Sequence, residues 1–198
     1  MERRRAIARA GVLAGAALAV AAATRKGRGR AVDDALFERL NRGGGQAADR
    51  FFGAITELGS IWASAGAATV LTLTGRRRTA AKALAAASAT WLLGQGLKRV
   101  FLRARPYDTS VGSRLLIGRP RGTTWPSSHP MVLLAFLTVA EEDLGLDRGA
   151  RAILRALTGA VGFSRVYLGV HYPADVAGGL LLGRAVGLAS SAAAGSRR

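Results

Sequence analysis

The sequence predicts an all-α fold, an integral membrane helical bundle of about six transmembrane helices. Hydrophobic residues make up 49% of the 198 residues, and they run in long stretches such as GVLAGAALAVAAA without the alternation of half-buried strands. The formal net charge of +17 is clustered in runs such as RKGRGR and GRRR beside those stretches. Basic ends on apolar segments are typical of membrane proteins. The alternative is a soluble bundle whose Ala-rich helices form its core.

The first apolar segment covers residues 6–24, but its uninterrupted part, 10–23, is shorter than the roughly 20 residues that span a bilayer. Its basic start and AVAAA end also resemble a signal peptide. We favour a retained anchor, so that residues 1–30 form a basic N-terminus with this segment. Residues 31–50 follow as an amphipathic piece broken by three glycines, which we expect at the membrane interface.

Residues 55–74 and 80–97 predict a helical hairpin, because the tight basic turn GRRRTAAK separates them. The connection that follows, up to residue 125, is rich in Gly, Pro and Arg and too charged to lie in hydrocarbon. Such a segment is expected to line a site or to face water.

Three more helices are predicted at residues 131–140, 153–170 and 176–194. Arg184 falls near the middle of the last one, where an arginine is costly unless it faces the interior of the bundle. These helices complete one domain over residues 31–194, which leaves residues 195–198 as a basic tail.

Basic residues also predict the orientation in the membrane. The turn at 76–82 and the arginines at 148, 151 and 155 lie at alternate helix ends, which the positive-inside tendency places in the cytoplasm. The opposite ends, with polar motifs at 98–106, 126–129 and 164–175, then face outward. Basic residues at 25, 26, 28 and 30 lie on that outer side as well, against the tendency.

These three polar motifs supply side chains suited to phosphoryl transfer. Its transition state spreads negative charge over three oxygens, so fixed cations and N–H donors stabilise it. Arginine can hold two of these oxygens at once, and serines beside a helix start add hydroxyl and backbone donors. The candidate residues are Lys98, Arg105, Ser127, Ser128, His129, Arg165, His171 and Asp175.

The two histidines carry most of the chemical information, since a neutral imidazole can attack phosphorus or move a proton. His171 and Asp175 are four residues apart, so on a helical turn the carboxylate can accept from one ring nitrogen and leave the other free. In the competing interpretation, His171 and Tyr172 belong to an aromatic interface belt and Asp175 only caps the last helix. His129 would then merely precede a helix.

The stretches KRVFLRARP, PSSH and SRVYLGVHYPAD resemble the three ordered motifs of the type 2 phosphatidic acid phosphatase superfamily, which includes bacterial acid phosphatases and vanadium haloperoxidases. That family's first motif, Lys, six residues, Arg-Pro, is matched at 98–106. Its third, Ser-Arg, five residues, His, three residues, Asp, is matched at 164–175. Its second motif is Pro-Ser-Gly-His, and here Ser128 stands in place of the glycine.

The resemblance implies that His171 attacks phosphorus and forms a phospho-histidine held by Asp175, while His129 protonates the leaving oxygen and then activates water. It also implies that no metal or other cofactor is required. The expected partners are a lipid phosphate substrate and membrane lipids. The site is expected at the membrane–water interface on the outer face of the membrane. The phosphate would be bound by Lys98, Arg105, Ser127, Ser128 and Arg165.

Other functions compete with this one. A vanadate-dependent haloperoxidase would reuse the same anion cradle, although such resembling enzymes are larger and soluble. A catalytically silent membrane scaffold would follow if Ser128 disabled the cradle. Nucleic-acid binding suits the net charge, but no recognisable module accompanies it and aromatic residues are only 6%, so no nucleic-acid partner is expected. Phosphatidate, phosphatidylglycerophosphate, polyprenyl pyrophosphate and polyprenyl phosphates stay open as substrates, and so does the oligomeric state.

Overall fold

A computed structural model describes residues 2–109 and 112–194, and over these residues the fold is helical, with no strand. The predicted basic tail, 195–198, lies outside the described residues. A short 3₁₀ helix covers Thr56–Gly59. The α-helices are α1 Glu2–Ala23, α2 Gly27–Leu40, α3 Gln46–Ile55, α4 Ile61–Leu73, α5 Arg77–Phe101, α6 Pro106–Thr109, α7 Ser128–Asp143, α8 Arg148–Tyr167 and α9 Pro173–Ala194.

The central element is α7, which packs against α5, α8 and α9. Its side chains are buried around most of the helix, as the consecutive residues Met131, Val132 and Leu133 show. Small alanines of α5, including Ala83 and Ala87, pack against this apolar surface. Because α7 is enclosed by other helices, its sequence from Pro130 to Ala140 is apolar apart from Thr138 and shows no polar stripe.

The last helix, α9, lies between α7 and α1. It approaches α7 closely because glycines recur every four residues on the facing side. A Cβ added at Gly179 would lie 2.4 Å from the Ser127 carbonyl oxygen, and one at Gly183 would lie 2.3 Å from the Met131 carbonyl oxygen. Close contact through small residues is a common way for helices to pack in membranes.

Arg184 faces the interior of the bundle, as expected for an arginine in mid-helix. Its Nη1 donates to Thr138 Oγ1 at 2.9 Å and lies 3.5 Å from a carboxylate oxygen of the buried Glu141. The charge is therefore paired within the protein.

Among the helices of residues 2–109 and 112–194, two, α1 and α9, are long and apolar enough to cross a membrane. The pair formed by Gln46–Gly59 and α4 would add a third if it is one broken span, bent by 64°. Six predicted segments correspond to α1, α4, α5, α7, α8 and α9. The count of about six transmembrane helices remains a prediction.

The structure corrects the prediction of one continuous helix over residues 55–74. The chain breaks at the 3₁₀ helix, where a Cβ on Gly59 would lie 2.7 Å from both His129 Cβ and Val161 Cγ1. After this close contact, Ser60 caps a new helix by accepting a hydrogen bond from the Ala63 amide at 3.0 Å. The break places Thr56 and Gly59 beside the predicted site.

Candidate active site

The three motifs meet at one end of the bundle. Lys98 lies in the last turn of α5, Ser127 to His129 begin α7, and Arg165 lies in the last turn of α8. The remaining three residues are Arg105 after α5, His171 between α8 and α9, and Asp175 in the first turn of α9. The charges of the two arginines and the lysine act on both histidines. The structure thus brings the predicted residues together.

Arg105 is buried and anchored by backbone carbonyls. Its Nε donates to Gly122 O at 2.8 Å, and its Nη1 donates to Val170 O at 2.9 Å. Burial lowers the pKa of the guanidinium from its ordinary value. This arginine therefore ties the long connection to the residue before His171, in addition to presenting a charge to the site.

Arg165 is held by Thr56, a residue of the 3₁₀ helix that lies outside the three motifs. Its Nη1 donates to the hydroxyl of Thr56 at 2.8 Å, and both side chains are buried. Its Nε is also buried, and the described residues offer it no hydrogen-bond partner. The guanidinium is therefore fixed by the hydrogen bond from Nη1, while its Nε remains an unpaired donor.

Two buried hydroxyls lie at the start of α7. Ser127 Oγ and Ser128 Oγ have no hydrogen-bond partner among residues 2–109 and 112–194. Buried polar atoms without partners are uncommon in proteins, so each calls for an explanation. The two serine hydroxyls lie at a helix N-terminus, which is an arrangement suited to an anion, and Arg165 Nε at the end of α8 is a third buried donor without a partner in the same described residues.

Ser128 fits its position without glycine's conformational freedom. It is the first residue of α7, and within the described part of the chain Leu102 is the only non-glycine residue with a positive φ. Space for its side chain comes from Gly94 of α5, where an added Cβ would lie 3.3 Å from Ser128 Oγ. A glycine on the neighbouring helix accommodates the serine.

The contact between His171 and Asp175 differs from the direct hydrogen bond that the spacing predicts. His171 Nδ1 lies 3.6 Å from Asp175 Oδ2, which is beyond hydrogen-bond length. The hydroxyl of Thr124 stands between them, 2.9 Å from His171 Nδ1 and 2.6 Å from Asp175 Oδ2. All three residues are buried.

Asp175 also accepts hydrogen bonds from two other groups. The Tyr172 amide donates to Oδ2 at 2.8 Å, and Arg103 Nη1 donates to Oδ1 at 2.9 Å. The same guanidinium pairs with Asp33 of α2. The carboxylate of Asp175 thus accepts a backbone hydrogen bond near the start of α9 and, through Thr124, also contacts His171.

The aromatic-belt interpretation of His171 and Tyr172 is wrong, because both side chains are buried within the protein. The ring of Tyr172 packs edge-on against Phe37, with 5.3 Å between ring centroids, and the guanidinium of Arg103 lies 4.3 Å from its centroid. His129, for its part, is the second residue of α7 rather than a residue before it.

Burial, and then the charges of Arg105, Arg165 and Lys98, hold the pKa of His171 well below its usual range. The imidazole is therefore neutral near pH 7, the form in which a ring nitrogen has a free electron pair. Within the described residues, no three His, Asp or Glu side chains are grouped closely enough to hold a metal ion.

Comparison with known proteins identifies the family. The sequence model of the PAP2 superfamily matches residues 78–198, more than half of the chain. The chain belongs to the PAP2 superfamily. All eight predicted site residues lie within this matched region.

Individual PAP2 relatives are similar over part of their length. An undecaprenyl-diphosphatase of Sulfolobus acidocaldarius is 31% identical over 96 residues, covering 46% of this chain and 44% of that protein. A decaprenylphosphoryl-5-phosphoribose phosphatase of Mycobacterium tuberculosis is 30% identical over 128 residues, covering 65% and 68%. Apart from the Mycobacterium match, the chain spans about half the length of the curated relatives it matches.

The fold matches a solved membrane PAP2 structure. The transmembrane PAP2-type phosphatidylglycerolphosphate phosphatase of Bacillus subtilis superimposes with a TM-score of 0.79 over 96% of this chain and 98% of that one, at 21% identity. This likeness shows the fold. The candidate spans of α1 and α9 support an integral membrane protein.

Four residues around this PAP2 site were not among the predicted site residues: Asp33, Thr56 and Thr124 lie outside the three motifs, and Arg103 is an intervening position of the first one. Each contacts a motif residue that is distant in sequence, so spacing alone does not reveal it. The one local signal was Gly59-Ser60, a glycine and a helix-capping serine that mark the break beside Thr56.

Proposed function

We propose that this chain is a metal-independent phosphatase that hydrolyses the terminal phosphate of a lipid phosphate or pyrophosphate. One observation carries the proposal: the unpaired, buried donors Ser127 Oγ, Ser128 Oγ and Arg165 Nε lie in a site whose cations act on two histidines. Such a set of fixed donors and charges suits a phosphoryl group, whose charge is spread over several oxygens.

The proposed reaction has two steps. In the first, a ring nitrogen of His171 forms a bond to phosphorus as the bond to the leaving oxygen breaks, and His129 donates a proton to that oxygen. In the second, His129 takes a proton from water, the water oxygen attacks phosphorus, and the N–P bond breaks to release inorganic phosphate. The neutral state of His171 supports its role as the nucleophile.

Five side chains would hold the phosphate during both steps: Lys98, Arg105, Ser127, Ser128 and Arg165. Arg105 and Arg165 are each fixed by other hydrogen bonds, so they present their charges without first becoming ordered. A preorganised donor of this kind contributes roughly 10²- to 10³-fold to the rate. Asp175 would hold His171 in position.

We further propose that residues 31–194 form the phosphatase domain of a protein of the plasma membrane, with the site at its outer surface. The basic turn before α5 and the arginines of α8 support this orientation. Two relatives are named for polyprenyl substrates, which supports a polyprenyl-linked phosphate or pyrophosphate among the lipids considered.

The test is phosphate release by the purified full chain in detergent. The substrates are polyprenyl pyrophosphate, polyprenyl phosphate, phosphatidate and phosphatidylglycerophosphate, each without added metal and with chelator. We expect turnover of at least one lipid, and a loss of at least about 10³-fold in His171→Ala, since removal of a nucleophile leaves only binding and electrostatic catalysis. No release from any of the four lipids would overturn the proposal, as would full turnover by folded His171→Ala.

A further inference from the structure

We infer that Thr124 is a positioning residue for the proposed nucleophile: its hydroxyl connects Asp175 to His171 and selects the histidine tautomer. This inference rests on the proposed function, in which His171 attacks phosphorus. The distances carry it, because Thr124 Oγ1 is within hydrogen-bond reach of both groups while the two groups are 3.6 Å from each other.

The direction of each hydrogen bond follows from counting protons. A threonine hydroxyl has one proton, and an ionised carboxylate only accepts. At 2.6 Å the hydroxyl of Thr124 therefore donates to Asp175, and its oxygen accepts at 2.9 Å from the N–H at His171 Nδ1. The imidazole is then protonated on Nδ1, and the free electron pair is on Nε2.

The opposite tautomer would leave an unfavourable contact. With its proton on Nε2, His171 would direct the Nδ1 electron pair at the Thr124 oxygen, with a single hydroxyl proton to serve two acceptors. The other acceptor near this hydroxyl, Val170 O, is 3.5 Å away and cannot replace the carboxylate. Thr124 and Asp175 together therefore stabilise the reactive form.

The surrounding structure keeps Thr124 in place. Its amide donates to Arg103 O at 2.9 Å, and its side chain is fully buried. Arg103 also binds the far oxygen of Asp175 and continues to Asp33 on α2. A chain of hydrogen bonds therefore runs from α2 to the imidazole, and Thr124 is its final member.

Three variants test this role. Thr124→Val replaces the hydroxyl with a methyl of similar size, and Thr124→Ser keeps the hydroxyl. Thr158→Val is the matched control, because Thr158 is equally buried but its hydroxyl donates only to Leu154 O in its own helix. We expect kcat to fall about 10²-fold in Thr124→Val, as for partners that orient a functional histidine, while KM stays within about twofold. Thr124→Ser and Thr158→Val should keep kcat within about threefold of the wild type.

Nitrogen NMR of ring-labelled histidine reads the tautomer directly, and the chain's two histidines make assignment simple. Wild-type His171 is expected as the Nδ1–H form, and Thr124→Val as a mixture of forms. A wild-type His171 protonated on Nε2 would overturn the inference, and this measurement needs no variant to fold. A Thr124→Ser enzyme as slow as Thr124→Val would also overturn it, because packing rather than the hydroxyl would then be responsible.

His171→Ala separates the two proposals. If it is inactive and Thr124→Val has wild-type kcat, the inference about Thr124 fails and the proposed function stands. If folded His171→Ala retains turnover, the proposed function itself fails.

Discussion

Gly179→Ala tests whether the contact between α9 and α7 positions the site. The added Cβ would lie 2.4 Å from Ser127 O, about 1 Å short of ordinary van der Waals contact at 3.4 Å. The obstacle is backbone, which cannot rotate away as a side chain can. Either α9 or the start of α7 must therefore shift, and Ser127 N also donates to Asp175 O at 3.0 Å across this contact.

The magnitude follows from that displacement. Overpacking of a close contact costs about 1–3 kcal/mol of stability, and a shift of about 1 Å in a catalytic group costs roughly 10²-fold in rate. We therefore expect Gly179→Ala to unfold at a lower temperature and to lose roughly 10²-fold in kcat/KM. The assays are phosphate release and thermal unfolding in the same detergent.

Gly159→Ala is the control, because nothing lies within 4 Å of a Cβ at this position in α8. It should keep kcat/KM and be at least as stable as the wild type, since alanine favours a helix by up to about 1 kcal/mol over glycine. A Gly179→Ala protein with wild-type kcat/KM and wild-type unfolding temperature would refute the argument that this contact sets the geometry of the site.

Two further predictions concern the histidines. His129→Ala should slow lipid phosphate turnover by about 10²- to 10⁴-fold, because the leaving oxygen of a lipid phosphate needs a proton. With an aryl phosphate, a good leaving group that needs little protonation, the first step should slow much less. Equal losses in the single-turnover rates of the two substrates would argue against a general acid. His171 should stay neutral in nitrogen NMR as the pH falls from 8 to the ordinary histidine pKa near 6.5, since burial and nearby cations lower its pKa. In the unfolded chain, His171 takes up a proton near pH 6.5, whereas in the folded protein it does not. The contribution of His171 to the free energy of unfolding should therefore fall as the pH drops below about 6.5. Half-protonation of folded His171 at pH 6.5 would contradict this expectation.

Local sequence patterns predicted most of the helices and the gathering of the candidate site residues at one end of the bundle. Long apolar stretches correspond to α1, α5, α7, α8 and α9, and the spacing within each motif placed its residues at the ends of helices that meet. The helix break at Thr56–Gly59 was missed, because its cause is a tertiary contact between Gly59 and His129. The sequence of an apolar stretch of about 20 residues does not reveal whether such a contact breaks its helix.

The contacts that support the candidate catalytic residues could not be predicted from local sequence patterns. A spacing of four residues correctly placed His171 near Asp175, but it could not show that their separation of 3.6 Å leaves room for the hydroxyl of Thr124. Arg103 likewise reads as one more arginine in a basic connection until the fold sets it against Asp33. These roles depend on contacts between residues more than 40 positions apart.

In the proposed mechanism, His171 carries the phosphoryl group between the two steps. The most direct measurement is rapid quenching at alkaline pH during turnover of an aryl phosphate, followed by mass spectrometry of the peptide that contains His171. We predict phosphate on His171 in the wild type, with more of it in His129→Ala because hydrolysis of the intermediate is slowed. Steady turnover with no phosphate on His171 in either protein, or with phosphate on His129 instead, would contradict the claim.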